Sequence, residues 1–242
     1  GLAELAQGKI LVSELKEVDI SDLLGRYEVE ANQVLINKNI KNKVVLITGA
    51  GGSIGSEISR QVAKNKASKV ILLDANEYAL YSIKKELESF ESSSEVYAVL
   101  ASVTNKKRII EVCGTFKVNT IYHTAAYKHV PLVEENPFEA VFNNILGTKI
   151  CAQAAIETHV QTFVLISTDK AVRPTNIMGA TKRFAELILQ SLAAESNTKM
   201  TMVRFGNVIG SSGSAIPLFQ QQIKDGGPVT VTHPEVIRYF MS

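Results

Sequence analysis

Val44-Val45-Leu46-Ile47-Thr48-Gly49-Ala50-Gly51-Gly52-Ser53-Ile54-Gly55 is the stretch that decides the fold of this chain. An unbroken apolar run ends at a glycine-rich turn, and the turn opens a stretch with helical spacing over 54–67. That order reads as strand, tight turn, helix. Five more apolar runs follow, at 70–73, 96–100, 120–122, 163–166 and 200–203. Between them lie amphipathic stretches at 77–88, 106–116, 137–159 and 178–195. Short unbroken strands alternating with helices predict a parallel sheet covered on both faces. With right-handed crossovers this is a doubly wound, Rossmann-like α/β fold.

The glycine turn has its own chemistry. Backbone amides at a helix N-terminus, with no Cβ in the way, can hold a pyrophosphate. The spacing GxGxxG fails from Gly49, because Ile54 stands where the third glycine belongs. GxxGxxG fits, with Gly49, Gly52 and Gly55, and Ser53 and Ile54 lie within it. Asp74 closes the second strand, about 20 residues beyond Gly55. A carboxylate there accepts from both ribose hydroxyls and repels a 2′-phosphate, which favours NAD over NADP. Ser102, after the third strand, is placed to border an adenine. Ala125 and Ala126, after the fourth, are small enough for a cofactor to lie close to the backbone.

Composition sets the outer bounds. The chain has 242 residues, 45% hydrophobic and 21% charged, which fits one large domain or a domain plus a smaller lobe. A net charge of +2 gives no case for nucleic acid or an anionic membrane surface. No apolar run reaches the roughly 18 residues of a membrane span, and the first residues lack the order of a signal peptide. Cys113 and Cys151 fall in helical stretches and read as small buried hydrophobes of a reducing compartment. The four histidines show no metal-ligand spacing, so no metal is expected. Residues 1–42 read as a lead-in that packs on the core, with a helix start at Ser21-Asp22 and a stop at Gly25. Residues 43–204 form the nucleotide-binding domain, and no second, independent core is evident after them.

Ser167-Thr168-Asp169-Lys170 ends the fifth strand, where open α/β sheets place ligands. A carboxylate beside an ammonium there is either a proton-transfer pair or a solvated turn. Met178 and Lys182 follow in Met-Gly-Ala-Thr-Lys, on one helix face. The glycine pattern, the strand-five Ser/Thr and the helix carrying Lys182 resemble the extended short-chain dehydrogenase/reductase superfamily. That superfamily has Tyr where this chain has Met178. Three runs are similar to the CapD/WbpM/PglF-type polysaccharide-biosynthesis proteins, which are UDP-N-acetylglucosamine 4,6-dehydratases. They are Ser167 to Arg183, Ala125 to Glu134 and Arg204 to Ser214. The lead-in Val18 to Arg26 resembles theirs as well, and Met at position 178 is usual in that subgroup.

The resemblance implies an NAD-dependent lyase for bacterial surface glycans. C4 of a UDP-sugar is oxidised, the C5 proton and the C6 hydroxyl leave, and hydride returns to C6. By the same match Thr168 bonds the C4 oxygen and Lys182 holds the nicotinamide ribose. Asp169 is the C6 acid, and Lys170 is the C5 base, neutral at that step. Met178 occupies a catalytic position but cannot accept a proton, so Asp169 is expected to act first as the C4 base. Lys128, His129 and Asn207 are candidates for contacts to substrate. Lys128 reads equally as a surface charge and His129 as a helix-start residue. Asn144 reads as structural.

Other readings stay open. They are a nucleotide-sugar epimerase of the same fold, a catalytically silent binding module, and a structural domain of a membrane complex. The superfamily often pairs through helices that fall here around 137–158 and 178–194. The resemblance implies that 205–242 begin a truncated substrate-binding lobe, which relatives carry onward past Ser242, and relatives precede the lead-in with membrane helices and another domain. The expectation is therefore a cytoplasmic piece that binds NAD and falls short of full activity.

Overall fold

The computed structural model describes residues 31–90, 92–208, 215–231, 235 and 240–241. The readings at Ser21-Asp22, at Gly25 and along Val18 to Arg26 lie outside the described residues, as does the last part of the run from Arg204 to Ser214.

A short helix α1 (Gln33–Asn39) leads into β1 (Val44–Thr48), and the Asn32 side chain caps it by accepting from the Val34 and Leu35 amides. After β1 come α2 (Ser53–Lys64), β2 (Lys69–Asp74), α3 (Glu77–Glu88), β3 (Glu95–Leu100), α4 (Lys106–Phe116) and β4 (Thr120–His123). The chain continues through α5 (Val130–Glu135), α6 (Pro137–Ala140), a π-helical turn (Val141–Leu146) and α7 (Gly147–Glu157). Then come β5 (Thr162–Thr168), a 3₁₀ turn (Asp169–Ala171), α8 (Ile177–Ala194) and β6 (Lys199–Phe205). All six strands pair in parallel in the order β3-β2-β1-β4-β5-β6. Asn207–Val208 (β7) pairs with Phe240–Met241 (β8) in a small sheet of its own, and Ala215–Lys224 forms α9.

Strand alternation divides the core into two layers. Leu46, Ile71, Ile121 and Leu165 face α4, α7 and α8, while Val45, Ile47, Val70 and Leu72 face α2 and α3. Each fully buried Leu or Ile contributes about 2 kcal/mol of transfer free energy. Cys113 of α4 and Cys151 of α7 lie in the first layer as free buried thiols, and burial pushes Cys113 up to about 11 and Cys151 higher. Among the described residues no helix is long and apolar enough to cross a membrane.

The stretch expected as one helix over 137–159 runs unbroken from Pro137 to Glu157, but it widens into the π turn at 141–146 between α6 and α7. The widened turn coincides with Asn144, which is buried and turned inward. Its Oδ1 accepts from the Tyr127 amide at 2.8 Å, and its Nδ2 donates to the Tyr127 carbonyl at 2.9 Å and to Thr181 Oγ1 at 3.0 Å. π turns of this kind concentrate at functional sites.

Candidate functional site

Strand order reverses between β1 and β4, and a crevice opens there at the carboxyl ends of the strands. The crevice has a volume of about 350 Å³. Gly49, with φ +66°, starts the turn after β1 in a conformation that strains any residue with a Cβ. A Cβ there would also lie 2.7 Å from the Ala125 backbone. Gly55 is needed for a different reason, since a Cβ on it would collide with the Gly49 carbonyl. Gly52, the N-cap of α2, makes no such close contact, so its side stays open toward the crevice.

Asp74 at the end of β2 fastens this turn. Its Oδ2 accepts from the Gly51 amide and its Oδ1 from the Asn76 amide, each at 2.8 Å. Ser102 lines the same crevice, its hydroxyl 2.7 Å from Thr104 Oγ1. Ser53, Ile54, Ala125, Ala126 and Lys128 line it too. His129 instead is the exposed N-cap of α5, and Asn207 lies in β7.

The acid–base turn is a second group, outside that crevice lining. Lys170 Nζ lies 3.1 Å from Asp169 Oδ1, and Thr168 Oγ1 donates to the same oxygen at 2.9 Å. Burial raises the Asp169 pKa, but Lys170 and the Thr168 hydroxyl outweigh it and hold the carboxyl below its usual range. Gly179 lets α8 dock on this turn, because a Cβ there would strike the Lys170 carbonyl.

Met178 and Lys182 are both buried on α8. Met178 packs with Val133 and Ala140 in a small apolar cluster. Lys182 is 5% exposed, and among the described residues its ammonium has no hydrogen-bond partner. Burial pushes it down to about 8, and the Glu186 carboxylate pulls the other way. A buried ammonium in this state gives its hydrogen bonds to water or to a ligand.

Two hydrogen-bonded groups tie these parts together, and reading the sequence missed both. His123 is fully buried between Thr48 Oγ1, 2.8 Å from Nδ1, and Thr148 Oγ1, 3.1 Å from Nε2. The Thr148 hydroxyl gives its proton to the Asn144 carbonyl, so it accepts from Nε2–H, and Thr48 donates to Nδ1. Burial and the Lys182 charge push His123 down to about 3, so it is neutral. Glu186, fully buried, accepts from Ser167 Oγ at 2.6 Å, from Arg204 at 2.7 and 2.5 Å and from Arg183 at 3.1 Å. Burial opposes its charge, but these donors prevail and hold it down to about 2. The available signals were a histidine at the end of an apolar strand and a glutamate one turn after Lys182.

An open parallel sheet with a glycine turn at its switch point and a carboxylate–ammonium turn on a nearby strand defines a Rossmann-type α/β protein. The chain belongs to the polysaccharide biosynthesis protein family, whose pattern matches residues 45–242. It is 55% identical to the capsular polysaccharide biosynthesis protein CapD of Staphylococcus aureus, over 100% of this chain and 41% of that protein. It is 49% identical to the probable polysaccharide biosynthesis protein EpsC of Bacillus subtilis, over 99% of this chain and 40% of that one. The chain thus spans about two fifths of these relatives' length. Among solved structures it is similar to Pen from Bacillus thuringiensis, with a TM-score of 0.79 and 37% identity over 84% of this chain and 64% of that one. A UDP-glucose 4-epimerase of Rickettsia rickettsii is 36% identical over 83% of this chain and 59% of that protein.

Proposed function

We propose that this chain carries the nucleotide-binding core of an NAD-dependent 4,6-dehydratase acting on a UDP-sugar, with UDP-N-acetylglucosamine as the first candidate. The observation that carries the reading is the Thr168-Asp169-Lys170 turn, an ion-paired acid and base one residue beyond Ser167, which is bonded to the helix of Lys182. A 4-epimerase leaves the C5 proton in place and does not need Lys170 as a C5 base.

The residues present fit the dinucleotide. The glycine turn offers the α2 amides to a pyrophosphate, and Asp74 faces the crevice where a ribose would lie. Lys182 has a buried ammonium that no acceptor among the described residues meets, and ribose hydroxyls would take such a donor. A bound NAD would supply the hydride acceptor for C4 and the hydride donor for C6. Asp169, held ionised, accepts the C4 hydroxyl proton and, once protonated, delivers it to the departing C6 hydroxyl. Lys170, neutral at that step, removes the C5 proton, and a proton from solvent returns to C5 as hydride reaches C6; Thr168 bonds the C4 oxygen. Met178 fills the position with a group that neither donates nor accepts a proton, which leaves that work to Asp169.

Three further assignments belong to this reading. Lys128, at the crevice wall, and His129 and Asn207 contact the sugar nucleotide. The stretch from 205 onward begins a substrate lobe after a 43–204 nucleotide domain, with 1–42 packing on it. Two copies pair over an apolar groove of about 440 Å³ between the π turn and α8, lined by Val141, Ile145, Phe184, Ile188 and Leu192.

The test is incubation with NAD and UDP-N-acetylglucosamine in D₂O, followed by NMR. A 4-keto-6-deoxy product with deuterium at C5 supports the reading. A C4 epimer of unchanged mass supports the alternative favoured by the Rickettsia relative. NAD binding with no turnover marks a silent binding module, and no NAD binding marks a structural domain.

A further inference from the structure

Glu186 is a charged group that the proposed chemistry leaves without a task, yet it is completely buried. Its position is unusual in what it joins. It lies on α8, one turn after Lys182, and receives Ser167 from the end of β5 and the Arg204 guanidinium from β6. Ser167 directly precedes Thr168, so a hydrogen bond to Glu186 fixes the point where β5 gives way to the acid–base turn. Arg204 and Arg183 each keep over a third of their side chain in solvent, at 37% and 40%. They need no carboxylate to stay charged. Lys182 is different, since it is buried and Glu186 is the anion that acts on it.

We propose that Glu186 is a positioning residue of the acid–base site. Through Ser167 it fixes the strand end that carries Thr168, Asp169 and Lys170. Through its charge it holds the Lys182 ammonium one helical turn away. An isolated ion pair with Arg204 would serve stability alone; a carboxylate shared between a strand end and a buried lysine couples the two halves of the site. The geometry stands without the dehydratase reading, and only the task of the positioned groups rests on it. The charged and titratable groups facing Lys182 are Glu186 on its own helix and neutral His123 on β4. Those facing Glu186 are Lys182, Arg183 and Arg204.

The test reads Lys182 directly, by NMR titration of ε-¹³C-lysine, with its signal assigned by its loss in Lys182→Arg. In the unaltered chain the midpoint should fall near 8. Glu186→Gln, which keeps shape and an acceptor for Ser167 but drops the charge, should lower that midpoint by about one pH unit or more. It should also weaken NAD binding at pH 7.5 by about tenfold in calorimetry. Glu186→Gln with Arg204→Met buries neither charge alone. It should regain thermal stability relative to the single variant while the Lys182 midpoint stays low. It also carries the test if the single variant does not fold. A Lys182 midpoint unchanged in either folded variant overturns the proposal. If the unaltered chain neither binds NAD nor converts the UDP-sugar, the dehydratase reading fails, while the lysine titration still decides the role of Glu186.

Discussion

The Gly51 amide donates to Asp74 Oδ2 at 2.8 Å, so the carboxylate that closes β2 also fastens the glycine turn that follows β1. Its second oxygen is taken by the Asn76 amide, which starts α3. The same side chain that would read the ribose thus shapes the turn that would hold the pyrophosphate. Asp74→Ala should weaken NAD binding at least about tenfold and lower stability by about 1–3 kcal/mol, because the Gly51 amide loses its acceptor. Asp74→Asn should keep most of the stability and narrow the preference for NAD over NADP. Calorimetry with both dinucleotides, alongside urea unfolding, separates the two effects.

Gly55→Ala should be far more damaging than Gly52→Ala. The first places a methyl group against the Gly49 carbonyl, which is backbone and has nowhere to go; the second points its methyl at a 3.3 Å contact and otherwise into the crevice. A loss of about 3 kcal/mol is expected for Gly55→Ala. For Gly52→Ala, stability should stay within about 1 kcal/mol while NAD affinity falls. Thermal unfolding with and without NAD measures both.

Gly179→Ala should push α8 away from the Lys170 carbonyl and open the turn of Asp169 and Lys170. Conversion of the UDP-sugar should drop by about a hundredfold, with NAD binding nearly intact. A variant that loses both equally would point to general unfolding instead.

Asp169→Asn should abolish both the appearance of NADH and the formation of 4-keto sugar. Surviving oxidation at C4 in that variant, followed at 340 nm, would assign the C4 base to another group.

Acid should destabilise the fold through two overlapping windows. His123 is held neutral in the fold, down to about 3 against an ordinary value of 6.5. The unfolded chain therefore binds a proton that the folded one does not, and stability falls as pH drops from about 6.5 towards 3. Glu186 is depressed to about 2 from 4.5, so its contribution is present above about 4.5 and disappears as pH falls through 2. That second window amounts to about 3 kcal/mol. Lys182 acts at the other end. Burial disfavours its charge, so stability rises between pH 8 and 10.5. Urea unfolding across pH, repeated in His123→Asn and Glu186→Gln, should remove the first and second acid windows in turn.

The strands and the glycine turn were legible because their signals are local. Each of the six apolar runs became a strand within one or two residues of its expected ends, and Asp74 needed only a strand end and a known spacing. Asp169-Lys170 was legible as a charged pair at a strand end for the same reason, while its part in proton transfer belongs to the proposed function. What escaped depends on distant partners. Glu186 meets Ser167 and Arg204 across 19 and 18 residues, and no periodicity announces such a pair. Asn144 was expected to be structural, but the π turn that aims it at Tyr127 and Thr181 leaves no mark on a helical pattern. His123 stands at the end of an apolar run, a signal of burial that does not say which groups bond its two ring nitrogens.

Cys113 and Cys151 carry a consequence of a different kind. Both thiols are buried in one layer of the core, and both are pushed up, so almost no thiolate meets solvent in the folded protein. Alkylating reagents can therefore reach them only when α4 and α7 part from the sheet. With no tryptophan in the chain, these two thiols are its natural gauge of opening. Their labelling rate under native conditions should measure how often the core breathes, and a bound dinucleotide that steadies the fold should slow that clock.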